Sequence, residues 1–167
     1  MSTVSQQRNN TILGIDPGYG RLGYAVIAGT SSAPSCQIFG CLETDMHSSV
    51  PERLLMIQQH CLHLINQYQP RVLAIETLTA RKNVSTVINV AAARGVVLAT
   101  AAAASLLVVE VTPNQVKQAL TGNGAANKSQ VQRMVQRILK LQLPITSDDA
   151  ADALAVALAV QPQLRRL

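Results

Sequence analysis

The stretch TILGIDPGYGRLGYAVIA, residues 11–28, opens with an apolar run that ends on Asp16. It breaks at Pro17-Gly18 and resumes as the short apolar run YAVIA at 24–28. Two strands joined by a turn explain this pattern, because Pro and Gly punctuate while Ile, Val and Tyr favour pleated structure. A carboxylate closing a buried strand costs several kcal/mol, roughly, unless something satisfies it. The arrangement recurs in RVLAIE, residues 71–76, where Glu76 closes the run. Arg21 or Arg81 offers an ion pair as the competing explanation. Repetition of the pattern favours a shared cation instead.

A third source of acid lies near the C-terminus, in TSDDAADALAVALA, residues 146–159. At about 100° per residue, with Asp148 as zero, Asp149 falls near 100° and Asp152 near 40°. Leu154 and Leu158 fall near 240° and 280°, so the acids share an arc opposite an apolar stripe. Asp148 suits a helix start, where unpaired N–H groups and the dipole stabilise an anion. Asp152 sits a turn further in, where that help fades. If the two strand ends and this helix meet, Asp16, Glu76, Asp149 and Asp152 converge into an oxygen-rich cage. Such a cage prefers Mg²⁺, with Mn²⁺ as a substitute. Two such ions about 4 Å apart serve phosphodiester hydrolysis.

Outward from the acids, the rest of the chain orders itself. A third strand is expected in CQIFGCLE (36–43) after the loop GTSSAPS, and a helix from Pro51 to Tyr68 that Pro70 ends. A helix over about 82–104 precedes the strand LLVVEV (106–111). Helices follow at about 113–120 and 128–141, before the acidic helix. Three strands followed by alternating helices and strands predict an α/β fold, a mixed sheet covered by helices. Residues 1–10 are expected as a flexible segment, 11–161 as the single domain and 162–167 as a short basic tail.

The chain has 167 residues, 48% hydrophobic and 14% charged, which fits one domain with a real core. The longest uncharged apolar tract, between Arg94 and Glu110, is shorter than the roughly 20 residues that span a bilayer. The first ten residues are polar and lack a signal-peptide centre, so a cytoplasmic protein with no membrane partner is expected. Cys36, Cys41 and Cys61 are odd in number and form no C-x-x-C pair, which argues against a zinc ribbon and a disulfide framework. His60 and His63 stand three apart on a helix without a nearby carboxylate, which reads as a solvated face.

The net charge is +5, yet its distribution says more than the sum. From Val111 to Ser147 there is no acid, against Lys117, Lys128, Arg133, Arg137 and Lys140. Five of the nine acids are Asp16, Glu76, Asp148, Asp149 and Asp152, leaving 14 cations to 4 anions elsewhere. A basic surround fits a polyanionic partner. An acid cage inside it reads as a nuclease.

Two other readings of the opening stretch compete. Gly18, Gly20 and Gly23 match G-x-G-x-x-G, with Glu43 about twenty residues on, but Gly23 leads into a strand where a dinucleotide fold requires a helix. The phosphate hairpin of actin-like and sugar-kinase ATPases also begins with a strand, an Asp and a Gly turn. Those enzymes have two lobes, for which this length leaves no room.

ILGIDPG, AIE, ARG at 93–95, TPNQVKQALTGNGAANKSQVQRMV and DAADALAVALA together resemble the RuvC family of Holliday junction resolvases, from about Ile12 to Ala159. The resemblance implies an RNase H-like fold with a mixed five-stranded sheet flanked by helices. It implies a Mg²⁺-dependent homodimeric endonuclease, with two ions per site, that nicks a four-way DNA junction symmetrically in bacterial recombination and repair. A RuvA–RuvB branch-migration complex is the implied partner. By matching position, Asp16, Glu76, Asp149 and Asp152 resemble the family's metal-binding catalytic acids. Lys117 and Lys128 resemble its basic residues near the scissile phosphate. Arg81, Lys82, Lys117, Lys128 and Arg133 are the candidate DNA contacts. Thr79 stands where family members carry an aromatic, and Tyr19 beside Asp16 offers an alternative ring. Rival readings are an RNase H-like nuclease for another substrate and a junction-binding protein with weak catalysis.

Overall fold

A computed structural model of the chain describes residues 10–78, 84–142 and 144–166. Thr79, Arg81, Lys82 and nearly all of the expected N-terminal segment lie outside these described residues. Five strands, β1 (Ile12–Asp16), β2 (Arg21–Thr30), β3 (Ala33–Glu43), β4 (Val72–Glu76) and β5 (Leu107–Val111), form one sheet in the order β3-β2-β1-β4-β5. The first three strands pair antiparallel, whereas β4 and β5 run parallel to β1 and to each other. The helices are α1 (Val50–Tyr68), α2 (Val84–Ala103), α3 (Pro113–Thr121), α4 (Lys128–Leu139) and α5 (Asp148–Val160).

Alternation along the strands divides the core in two. Leu13, Ile15, Leu73 and Ile75 face α1 and α2, with Ile57, Leu64, Ala93 and Val97 packed against them. Ile12, Val72 and Ala74 face the other way, toward α3, α4 and α5, among Val116, Val135, Leu154 and Val156. The register of β1 on β4 runs from Ile12↔Val72 to Ile15↔Ile75, so the next residues, Asp16 and Glu76, end side by side on the α5 face. The sheet thereby delivers two carboxylates to one edge.

Helix α5 is buried on every side beyond its first turn, from Ala153 through Val160. That corrects the expectation of a single apolar stripe opposite the acids. Its near-continuous Ala, Leu and Val are required because the sheet lies beneath it and α3 and α4 lie over it. Glycines let it approach. A Cβ at Gly14 would stand 2.4 Å from the Ala153 carbonyl oxygen and 2.7 Å from the Ala157 Cβ.

Several boundaries differ from expectation. The expected loop GTSSAPS shrinks to a turn at Ser31-Ser32, because Thr30↔Ala33, Gly29↔Pro34 and Ala28↔Ser35 pair across the hairpin. Cross-strand pairing outweighs the weak strand preference of these residues, and Pro34 is tolerated on an edge strand. Gly29 takes a left-handed φ of 91° there. Helix α4 ends at Leu139 because Lys140 adopts φ 50°. The expected tail instead forms a 3₁₀ segment, Gln161–Arg166, whose Leu164 joins the core.

His60 is not on a solvated face. Its ring meets Tyr24 edge-on at 4.5 Å between centroids, and its Nε2 is buried without a hydrogen-bond partner among the described residues. Burial first, and the neighbouring His63 second, push its pKa below the usual 6.5. The folded state therefore resists a proton that the unfolded chain accepts. Stability is full above about pH 6.5, falls as pH drops toward the lowered folded value, and then levels. Chemical unfolding between about pH 7 and 5 is expected to show this fall, and His60→Phe to remove that part of it. An equally steep fall in the variant would assign the effect elsewhere.

Candidate active site

Glu76 stands at the centre of the acidic edge. A cavity of about 280 Å³ is lined by Glu76, Lys117, Lys128 and Asp152, with Pro113, Val116, Val131 and Ala155 as its apolar wall. A smaller one of about 60 Å³, lined by Asp16, Pro17, Glu76, Thr77 and Leu78 among others, adjoins it through Glu76. Asp16 and Asp152 therefore flank the same glutamate, one from β1 and the other from α5.

Local capping aims the two lysines. Thr112 caps α3, accepting a hydrogen bond from the Gln115 N–H while Gln115 Oε1 accepts from the Thr112 N–H, with Pro113 in the first turn. That start places Lys117 on the cavity wall one turn later. Asn127 and Gln130 form the same reciprocal cap for α4, at whose first position Lys128 stands. Lys128 Nζ lies 3.0 Å from Asp152 Oδ2 and 3.3 Å from Asp148 Oδ2. Lys117 forms no ion pair among the described residues.

The three helix acids have separate environments. Burial pushes the Asp152 carboxyl up, and the nearby Asp148 and Asp149 add to this, while Lys128 opposes it. Burial alone would lower the Lys128 ammonium, but its contacts with Asp152 and Asp148 together outweigh that and raise it. Asp148 is 70% exposed at its side chain. A hydrogen bond from Gln132 at 3.0 Å, and then Lys128, hold its carboxyl below the usual range. It behaves as the helix-start acid its position suggests.

Asp149 points elsewhere. Arg21 Nε donates to its Oδ2 at 2.8 Å, the Cys41 thiol lies 3.6 Å from the same oxygen, and Arg21 also reaches Glu43 at 3.1 Å. The hydrogen bond to Asp149 is the main cause that raises the Arg21 pKa. The aspartate still adjoins the acidic edge through its backbone. Gly23, the cross-strand partner of Asp16, lies directly beneath it, and a Cβ there would stand 2.0 Å from the Asp149 carbonyl oxygen.

Sequence reasoning named Arg21 as a candidate partner for a buried acid, but its pairing with Asp149 depends on β2 meeting α5, which no local pattern announces. Glu43, Cys41 and Gln132 were missed for the same reason. Tyr19, the alternative ring, is engaged internally: the Arg53 guanidinium lies 3.9 Å over it, and its carbonyl accepts from Thr44 at 2.8 Å. Arg133 is exposed on α4, on a wall of a different cavity.

Asp16, Glu76 and Asp152 supply only oxygen donors to the two cavities, which suits a hard divalent cation. Among the described residues no three acidic, His or Cys side chains already converge as a ligand set. Lys128 on Asp152 and Arg21 on Asp149 supply the positive charge in this arrangement. An incoming cation therefore has suitable donors but meets an ammonium already on Asp152, while Asp149 is held by a guanidinium.

The model of the family described as crossover junction endodeoxyribonuclease RuvC matches residues 12–160. The protein of that name from Roseiflexus sp. (strain RS-1) is 46% identical over 158 residues, covering 93% of this chain and 94% of its own. The one from Petrotoga mobilis is 45% identical over 146 residues, covering 87% and 90%. The structure of Thermus thermophilus RuvC matches with a TM-score of 0.86 at 32% identity, over 93% of this chain and 96% of that one. The same protein in complex with a Holliday junction substrate matches with a TM-score of 0.85 at 29% identity, over the same shares. The sheet order and helix layers are those of the RNase H-like fold, and the chain belongs to the RuvC family of crossover junction endodeoxyribonucleases.

Proposed function

We propose that this protein is a divalent-metal-dependent endonuclease that resolves four-way DNA junctions by paired, symmetric nicks. One observation carries the reading: a single cavity is lined by Glu76 and Asp152 together with Lys117 and Lys128, and Asp16 lines a smaller one that adjoins it through Glu76. Acids that can hold Mg²⁺ beside cations that can hold phosphate are what phosphodiester hydrolysis requires.

Asp16, Glu76 and Asp152 would hold the ions, two per site, with Asp149 contributing once it leaves Arg21. When bound, such ions would supply an activated water and charge neutralisation at the leaving oxygen. Lys117 stabilises the charge that develops on the scissile phosphate, its ammonium aimed by the capped start of α3. Lys128 exchanges its carboxylate partners for the DNA backbone and holds the strand in register. Arg81, Lys82 and Arg133 are assigned to backbone contacts, and Thr79 to the position where an aromatic would stack on an opened base pair.

A homodimer suits a substrate with two equivalent strands. The helical layer made by α1 and α2 presents Leu55, Leu62 and Ile88 to solvent, the last 63% exposed, and this apolar surface supports an isologous contact. No described helix is long and apolar enough to cross a membrane. We assign the protein to the bacterial cytoplasm, working with a RuvA–RuvB branch-migration complex.

The test is a strand-by-strand nick map on a synthetic four-way junction, with and without Mg²⁺, beside linear duplex and RNA–DNA hybrid. Symmetric, metal-dependent nicks confined to the junction are expected. Cleavage of the hybrid instead would replace the substrate, and binding without nicks even in Mn²⁺ would leave a binding protein. In the same assay Lys117→Ala is expected to slow nicking by about 10²-fold, the scale seen when one donor to a developing oxyanion is removed. An unchanged single-turnover rate would remove Lys117 from the site.

A further inference from the structure

On the opposite side of the α3–α4 hairpin from the acids lies a cavity of about 530 Å³, between the connecting loop and the outer face of α4. Its polar wall is Thr121, Asn123, Gln130, Arg133 and Arg137. Both arginines are exposed, and neither forms an ion pair among the described residues. With no acid from Val111 to Ser147, nothing local neutralises them.

The loop edge is built rather than slack. Thr121 Oγ1 donates to the Lys117 carbonyl at 2.8 Å and accepts from the Asn123 N–H at 3.1 Å. Gln118 Oε1 accepts from the Gly124 N–H, and Asn123 Oδ1 from the Ala125 N–H, each at 2.9 Å. That last bond uses the Asn123 carbonyl oxygen, and its amide hydrogens have no partner among the described residues. Two guanidinium forks and an amide donor on one open groove select an anion, and bidentate donors favour phosphate.

We propose that this groove is a second DNA-backbone site, which holds a junction arm rather than the strand being cut. The proposal rests on the junction-nuclease reading above and extends its footprint. The arm assignment follows from helical geometry. With Lys128 as zero, Arg133 and Arg137 fall at about 140° and 180° around α4, so the groove and the acidic cavity face apart. Arg137 also stands nine residues beyond Lys128, about 14 Å along the axis, a length that carries about four phosphates of one duplex strand. A backbone seated in the groove is therefore displaced from the scissile phosphate in both direction and distance.

The experiment compares junction binding by the parent protein and by the Arg133→Gln/Arg137→Gln double variant across a salt series. Two junctions are used: one native, and one whose arm phosphates are neutral methylphosphonates except those adjoining the crossover. On the native junction the variant is expected to bind more weakly, with a slope of log K against log salt shallower by about 2, close to 0.9 per lost contact. On the neutral-arm junction the two proteins are expected to bind alike. Arg133→Lys/Arg137→Lys, which keeps the charge, should retain most of the parent slope, and melting temperatures confirm that the exposed substitutions leave the fold intact. Equal slopes on the native junction would overturn the groove while leaving the nuclease reading standing. A difference that persists undiminished on the neutral-arm junction would also overturn it, by assigning the arginines to the crossover. A parent protein that ignores both junctions would overturn the function and the groove together.

Discussion

Asp152→Asn is expected to abolish nicking, lowering the single-turnover rate by about 10³-fold or more, while junction binding survives. Asp152 is the only acid of α5 on the wall of the cavity it shares with Glu76, Lys117 and Lys128. Its side chain is 34% exposed against 70% for Asp148, and burial raises its carboxyl. The amide keeps the shape but gives up the charge, so the proposed cation site would lose a ligand and Lys128 would lose the nearer of its two carboxylate partners. Binding is spared because phosphate contacts come from the basic surround, and losing an acid removes repulsion from the DNA. Asp148→Asn is the matched control. Its contacts with Lys128 and Gln132 are at the surface, and only a small change in either quantity is expected. Reversed effects, with Asp148 required and Asp152 dispensable, would mean that the wrong face of α5 has been assigned to the site. Single-turnover nicking and electrophoretic binding on the same junction separate these outcomes.

The second large effect is on stability. Gly23→Ala places a methyl group 2.0 Å from the Asp149 carbonyl oxygen and 2.5 Å from its carbonyl carbon, both backbone atoms in the first turn of a helix that is buried on every side beyond that turn. No side-chain rotation relieves such a contact. Either β2 or the first turn of α5 must shift, and overpacking of this kind costs about 1–3 kcal/mol or more. For a chain of this size that is a fall in melting temperature of roughly 2–12 °C. Nicking should fall beyond what the lost folded fraction explains, because the displaced turn carries Asp149 and lies just before Asp152. Gly95→Ala provides the contrast: nothing lies within 4 Å of the added methyl on the exposed side of α2. There the substitution is expected to stabilise by about 0.5–1 kcal/mol through helix propensity and reduced unfolded-state entropy. A Gly23→Ala protein that melts with its parent would show that α5 does not press on β2.

These two variants also mark where local reading of the chain reaches its limit. The strands ending at Asp16 and Glu76 were legible because each is a short apolar run closed by a lone acid, a pattern that costs too much to be accidental. The order of elements was legible too, since helical and strand periods alternate cleanly after residue 50. The boundaries that went astray share a cause. The hairpin at 30–33 rests on cross-strand pairing and the buried Leu164 on core partners distant in sequence, and Ser, Pro and Gly preferences are blind to both. His60 was misread because the face of α1 it occupies is set by Tyr24 on β2, not by its own helix.

By itself the sequence determined the alternation of strands and helices, the acids that end them, the acid-free basic stretch and, through the order of its motifs, the family. Each of these is carried by residues close together in the chain, where period, punctuation and charge act directly. Only the tertiary structure decided which carboxylate meets which cation. Asp149 goes to Arg21, Asp152 goes to Lys128, and the arginines of α4 face a groove apart from the acids. Those pairings follow from how closely α5 settles on Gly14 and Gly23 and from how the α3–α4 hairpin caps it. Contacts between residues 24 and 128 positions apart are set by packing, and packing is a property of the assembled layers rather than of any one segment.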